Sequence, residues 1–151
     1  MTEKFDPVDP VLEVFFSQTP EASSDPNFTT APIDDPSSTT PLYYLIIKTN
    51  SARDTTVSFS PFVPSSPASG SIPYTVSMHE FENNPSSDKP IGSCDISGTS
   101  GATITMYGPN MTFGTPVRYV YSFIYKFEEA DISNASAGTY ESTVTVTVNG
   151  G

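Results

Sequence analysis

From Tyr140 to Asn149 the chain alternates with a period of two. Tyr140, Val144, Val146 and Val148 fall on one face, and Glu141, Thr143, Thr145, Thr147 and Asn149 on the other. Successive side chains of a strand point to opposite sides, so this spacing dictates a β-strand with an apolar inner face and a Thr-rich outer one. A helix would scatter the same valines around its circumference. Branched Val and Thr also suit a pleated, half-buried surface. Such a strand cannot stand alone. Its apolar face needs a second layer, and its two edges need partners.

The same period recurs upstream. Residues 117–127 put Val117, Tyr119, Tyr121, Phe123, Tyr125 and Phe127 on one face. Residues 42–47 are almost wholly apolar, which suits a central strand covered on both sides. Residues 55–59, 72–78 and 102–106 alternate, and residues 11–16 read as a strand entered through Asp6-Pro7-Val8-Asp9-Pro10. The intervals 17–41, 61–73 and 83–100 are polar and proline-rich and read as loops. No window of twelve residues keeps a 3.6 period without Pro or Gly, and 15 of the 151 residues are Pro. The pattern predicts an all-β antiparallel sandwich or barrel of about seven strands. Eight Tyr and ten Phe supply its core. The length fits one domain over 1–151, with residues 1–7 as a short N-terminal arm.

Charge narrows the partners. Six Lys plus Arg against 17 Asp plus Glu give a net charge of −11. That field repels a phosphate backbone and an anionic bilayer, so neither nucleic acid nor membrane is expected as a partner. The longest apolar run is far short of the ~20 residues of a membrane span. Met1–Asp6 lacks the charged-then-apolar pattern of a signal peptide, and the expectation is an extracellular, cell-surface chain read from its mature start. A single cysteine allows no disulfide within the chain, although a bond between chains stays open.

Residues that carry chemistry are sparse. His79 is the only histidine, placed at a strand end opposite the apolar face, and is expected to be exposed or in a loop. Zinc or a nucleophilic triad would need further ligands or a partner base. Cys94 has no basic neighbour closer in sequence than Lys89 and reads as a structural thiol. Asp6/Asp9, Asp34/Asp35 and Glu128-Glu129-Ala130-Asp131 offer carboxylates without the spacing of a calcium loop, and solvated loops explain them in so acidic a chain. Gly98-Thr99-Ser100-Gly101 lacks the spacing of a nucleophile elbow. Asn27, Asn110 and Asn134 begin triplets of the N-glycosylation type. The expectation is no catalytic residue, no cofactor and no metal.

The ending Ala137-Gly138-Thr139-Tyr140, followed by alternating Val and Thr, resembles the last strand of bacterial chaperone–usher pilins of the class 5 fimbrial major subunit and spore coat protein U-like types. Val8-Asp9-Pro10-Val11-Leu12 is similar to the start of the first class 5 strand. Residues 43–50 with 55–59 are similar to the second and third, and Ile72-Pro73-Tyr74-Thr75-Val76-Ser77-Met78 to the central one. The resemblance implies an immunoglobulin-like sandwich with an incomplete edge, completed by a strand from a neighbouring pilin subunit or a periplasmic chaperone. On that reading Tyr140, Val144, Val146 and Val148 form one wall of a strand-acceptor groove, with Val11, Val14 and Phe16 opposite.

The implied function is a structural or adhesive subunit of a fimbria-like filament, assembled by donor-strand complementation, with host or surface contacts on its loops and no catalysis. Two other readings stay open. One is a complete β-sandwich binding module for carbohydrate or protein, and the other a viral or phage surface β-domain.

Overall fold

Period-two alternation becomes eleven strands and one short helix among the residues described by the computed structural model, which are 1–8, 13–49, 54–64, 70–80, 89–97, 100–106, 117–135 and 139–148. In chain order these are β1 (Thr2–Val8), β2 (Glu13–Ser17), β3 (Thr30–Pro32), β4 (Tyr43–Thr49), β5 (Thr55–Phe59), β6 (Val63–Pro64), β7 (Tyr74–Glu80), β8 (Lys89–Ile96), β9 (Ala102–Met106), β10 (Val117–Lys126), α1 (Glu129–Asn134) and β11 (Tyr140–Val148). They form two sheets, an all-β sandwich. One runs β3-β1-β11-β5-β9, with β6 paired to β11 off that path, and the other runs β2-β4-β10-β7-β8. All pairings are antiparallel except β1 with β11.

Alternation decides which faces meet. Along β11 burial switches at every residue, and Tyr140, Ser142, Val144, Val146 and Val148 all point inward. β5 repeats the pattern with Val57 and Phe59. The opposing sheet contributes Phe16, Tyr43, Leu45, Ile47, Tyr74, Val76, Met78, Tyr121, Phe123 and Tyr125. Residues 119–123 of β10 are buried on both faces, so Val120 and Ser122 are as hidden as their inward neighbours. The apolar run in β4 does the same with Ile46. Core aromatics pack edge-on or offset, as their quadrupoles prefer. Tyr43 stacks on Phe123 with centroids 4.8 Å apart, and Tyr74 on Tyr125 at 5.3 Å.

Four strands depart from the sequence expectation. β8 lies in the interval 83–100 read as a loop. Its period is carried by small residues: Cys94 and Ile96 pack toward the core, while Ser93 and Asp95 face solvent. Gly92 belongs to the inner series, and a Cβ there would stand 3.2 Å from Ile104 on β9, so glycine lets the two sheet edges approach. β3 and β6 are too short to show a period. β1 forms from the segment read as an arm.

β1 also corrects the expectation of an open edge. Within this chain β11 is paired on both flanks, by β5 and β6 on one side and by β1 on the other. The arm is longer in effect than its sequence suggested, because seven residues in extended form make seven register pairs with β11.

Gly101 opens β9 where an added Cβ would collide with the Phe59 carbonyl oxygen of β5. Backbone cannot give way as a side-chain tip does. Gly101→Ala is therefore expected to destabilise the fold by ~1–3 kcal/mol in urea unfolding, the usual cost of overpacking. An unchanged midpoint would show that this strand pair is not held at the observed distance.

Candidate strand-binding groove

The predicted wall residues Tyr140, Val144, Val146 and Val148 line one inner face in sequence order, each at most 4% exposed. Of the opposite set, Val14 and Phe16 are buried on β2, and Val11 lies outside the described residues. Between the β11 wall and Phe16 runs β1, parallel to β11, with Thr2 opposite Glu141 and Val8 opposite Thr147. β3 closes its other flank, pairing Thr2 with Pro32 and Lys4 with Thr30. Two further backbone bonds fix the segment: the Ile33 amide donates to the Met1 carbonyl at 2.8 Å, and the Phe5 amide to the Thr29 carbonyl at 3.2 Å.

Phe5 anchors the strand. It sits opposite Val144 in register, and its ring stacks on Phe16 with centroids 4.5 Å apart. Phe28 and Tyr43 complete the pocket, both at 4.8 Å. On the outer face Lys4 and Glu141 form an ion pair of 2.9 Å. Both side chains are about half exposed, so water and salt leave it worth only ~0–1 kcal/mol.

Two residues away, the inner face of β1 carries Glu3, which is wholly buried. Neither carboxyl oxygen has a hydrogen-bond partner. The side chain enters a polar seam in an otherwise apolar core. The Tyr43 and Tyr125 hydroxyls meet at 2.7 Å. The Tyr74 hydroxyl donates to the Ser60 carbonyl at 2.7 Å, and Ser142 Oγ donates to the same oxygen at 2.7 Å. Loss of water pushes the Glu3 carboxyl up to about 8, against the pull of the nearby Tyr125 and Ser142 hydroxyls, which favour the ionised form without completing a bond. Burial raises the phenols of Tyr43, Tyr74 and Tyr125 as well, so all three stay neutral donors.

Elsewhere the chemistry-bearing side chains stand apart. His79 lies within β7 and is half-buried, which corrects its expected loop or exposed position; β7 runs on to Glu80 and so takes His79 into its ladder. It faces Ser122 across the β7–β10 ladder. Neither His79 Nδ1 nor Ser122 Oγ has a hydrogen-bond partner, so they do not form the linked base and nucleophile that acyl transfer needs. Cys94 is half-buried, and burial with the adjacent Asp95 pushes its thiol up to about 11, away from a reactive thiolate. Asp34 and Asp35 are exposed. Asp35 accepts bonds from the Ser37 amide and hydroxyl at 3.0 and 2.6 Å, which lower its pKa and close a local turn. Glu129 and Asp131 start α1, preceded by Glu128. Among the described residues no three His, Cys, Asp or Glu side chains group as metal ligands. Asn27 and Asn134 are exposed, while Asp9 and Asn110 lie outside the described residues.

Glu3 and Ser142 are the site residues that sequence reasoning missed. Ser142 was legible, since it holds an even position among Tyr140, Val144 and Val146. Glu3 and Phe5 share the same spacing, but one charged and one apolar residue are too few to define a face.

No protein-family model, curated protein or solved structure matches this chain.

Phe5→Ala removes the ring that spans Phe16, Phe28 and Tyr43. Because Phe5 is only partly buried, the loss should fall at or just below the lower end of the usual range for a buried Phe, about 2–3 kcal/mol by chemical denaturation. A loss below about 0.5 kcal/mol would show that β1 does not contribute to the groove's packing.

Proposed function

We propose that this chain is a structural or adhesive subunit of a fimbria-like filament outside the cell, and that its groove beside β11 accepts an extended strand from another polypeptide. One observation carries the reading. The place next to β11 is taken by a segment from the far end of the sequence, laid in parallel through backbone bonds and one aromatic anchor. Parallel neighbours need a long crossover, so the covalent chain runs from β1 to β11 only through the rest of the fold. Strand addition uses the same currency: main-chain bonds give affinity and alternate side-chain pockets give specificity. Any extended segment able to place an aromatic ring against Phe16, Phe28 and Tyr43 meets the same recognition surface. The resemblance of the terminal ribbon to pilins agrees with this reading.

Pairing of β11 on both flanks by its own chain favours a second reading, a self-complete sandwich that binds carbohydrate or protein through its loops. The two differ in whether β1 can be replaced.

The test mixes the full chain with an excess of dye-labelled peptide comprising residues 1–8. Strand exchange predicts a labelled complex that survives gel filtration and a raised melting temperature, since a ligand of the native state stabilises it. A chain that stays monomeric, keeps its melting temperature and captures no peptide over days belongs to the second reading.

A further inference from the structure

The strand that fills the groove is a poor match for it. β1 offers Phe5 to an aromatic pocket that suits it, and Glu3 to an enclosed one that does not. The Glu3 carboxyl is completely buried, its two oxygens have no hydrogen-bond partner, and no cation faces it among the described residues. What does face it is neutral. β4 presents Tyr43, β7 Tyr74, β10 Tyr125 and β11 Ser142, while the residue paired to it on β3 is Ala31. The nearest base on its own strand, Lys4, points to the opposite face and pairs with Glu141. An ionised carboxylate in such a place carries a large desolvation cost that the Tyr125 and Ser142 hydroxyls offset only in part.

We propose that Glu3 makes β1 a proton-gated placeholder: the strand holds the groove while this carboxyl is neutral and, once it ionises, yields the groove to a partner strand with an uncharged side chain at that position. The proposal rests on the strand-accepting reading above and adds the chemistry of the partner and the condition for exchange. Hydroxyls of Tyr43, Tyr74, Tyr125 and Ser142 line the pocket, so an amide, a hydroxyl or an aliphatic group enters it without that cost. An acidic side chain does not.

The sign follows from linkage. Docking raises the Glu3 carboxyl from its ordinary 4.5 to about 8, so docking favours the protonated form. Its contribution to holding β1 is full below pH 4.5 and is lost progressively up to about pH 8, where the loss levels off. A rise from 4.5 to about 8 weakens docking by up to about three thousandfold once the carboxyl is fully ionised.

Two readouts on the full chain separate gate from exchange. The first is amide hydrogen exchange of the β1–β11 ladder between pH 4.5 and 9, corrected for the intrinsic pH dependence of exchange. Protection in wild type should fall by up to about a thousandfold relative to the β5–β9 ladder. Glu3→Gln, which keeps the shape and cannot ionise, and Glu3→Leu should hold it constant. Parallel profiles in wild type and both variants would overturn the gate. The second readout is capture of a labelled peptide of residues 1–8 carrying Glu3→Leu. Capture by wild type should speed up as pH rises and exceed that of the unsubstituted peptide. Release of β1 without capture would overturn the strand-accepting reading and leave the gate standing. Capture at a rate indifferent to pH would overturn the gate and leave the reading standing.

Discussion

Parallel pairing of β1 with β11 is the contact on which the closed sandwich depends. β11 carries three inward valines and has β5 and β6 on one flank only. Remove β1, and the other flank presents a row of unpaired amides and carbonyls above Phe16, Phe28 and Tyr43. Backbone groups left unpaired away from water are costly, and a flat apolar edge invites another strand. With β1 in place, one segment satisfies the edge of β11, anchors β3 and fills the aromatic pocket. Sheet, pocket and edge therefore stand or fall together.

The core beneath that segment combines two kinds of packing. Around Phe5 it is aromatic, with ring against ring. Around Glu3 it is a seam of hydroxyls, where Tyr43 bonds to Tyr125, and Tyr74 to Ser60 and Ser142. This explains why the fold tolerates an ill-suited occupant. The hydroxyls bond chiefly to one another, so the carboxyl meets only the partial pull of Tyr125 and Ser142 against its desolvation cost. Tyrosine is well suited to such a place, since its ring packs while its hydroxyl bonds.

Much of the sandwich was legible in the sequence, and the reason is periodicity. β5 and β9 match their expected spans, while β4, β7, β10 and β11 match within a few residues, because alternating Val, Thr, Tyr and Phe leave no other period open. Legibility failed where side chains are small, few or charged. β8 hides its period behind Gly92, Cys94 and Ser93. β3 is three residues long and exists because β1 lies beside it. By sequence β1 reads as an arm because Glu3, Lys4 and Asp6 interrupt any apolar face, and its pairing depends on a partner over a hundred residues away. The groove wall on β11 was legible for the same reason as the strand itself. Its occupant was not, because register between distant segments leaves no local trace.

β1 lies in parallel on β11 of its own molecule. Backbone nuclear Overhauser contacts probe this pairing, measured on a sample that mixes isotope-labelled with unlabelled chains so that contacts within and between molecules separate. Contacts within one molecule are expected, linking Lys4 and Phe5 to Thr143 and Val144 in parallel register. Antiparallel contacts, or contacts found only between molecules, would rule this pairing out.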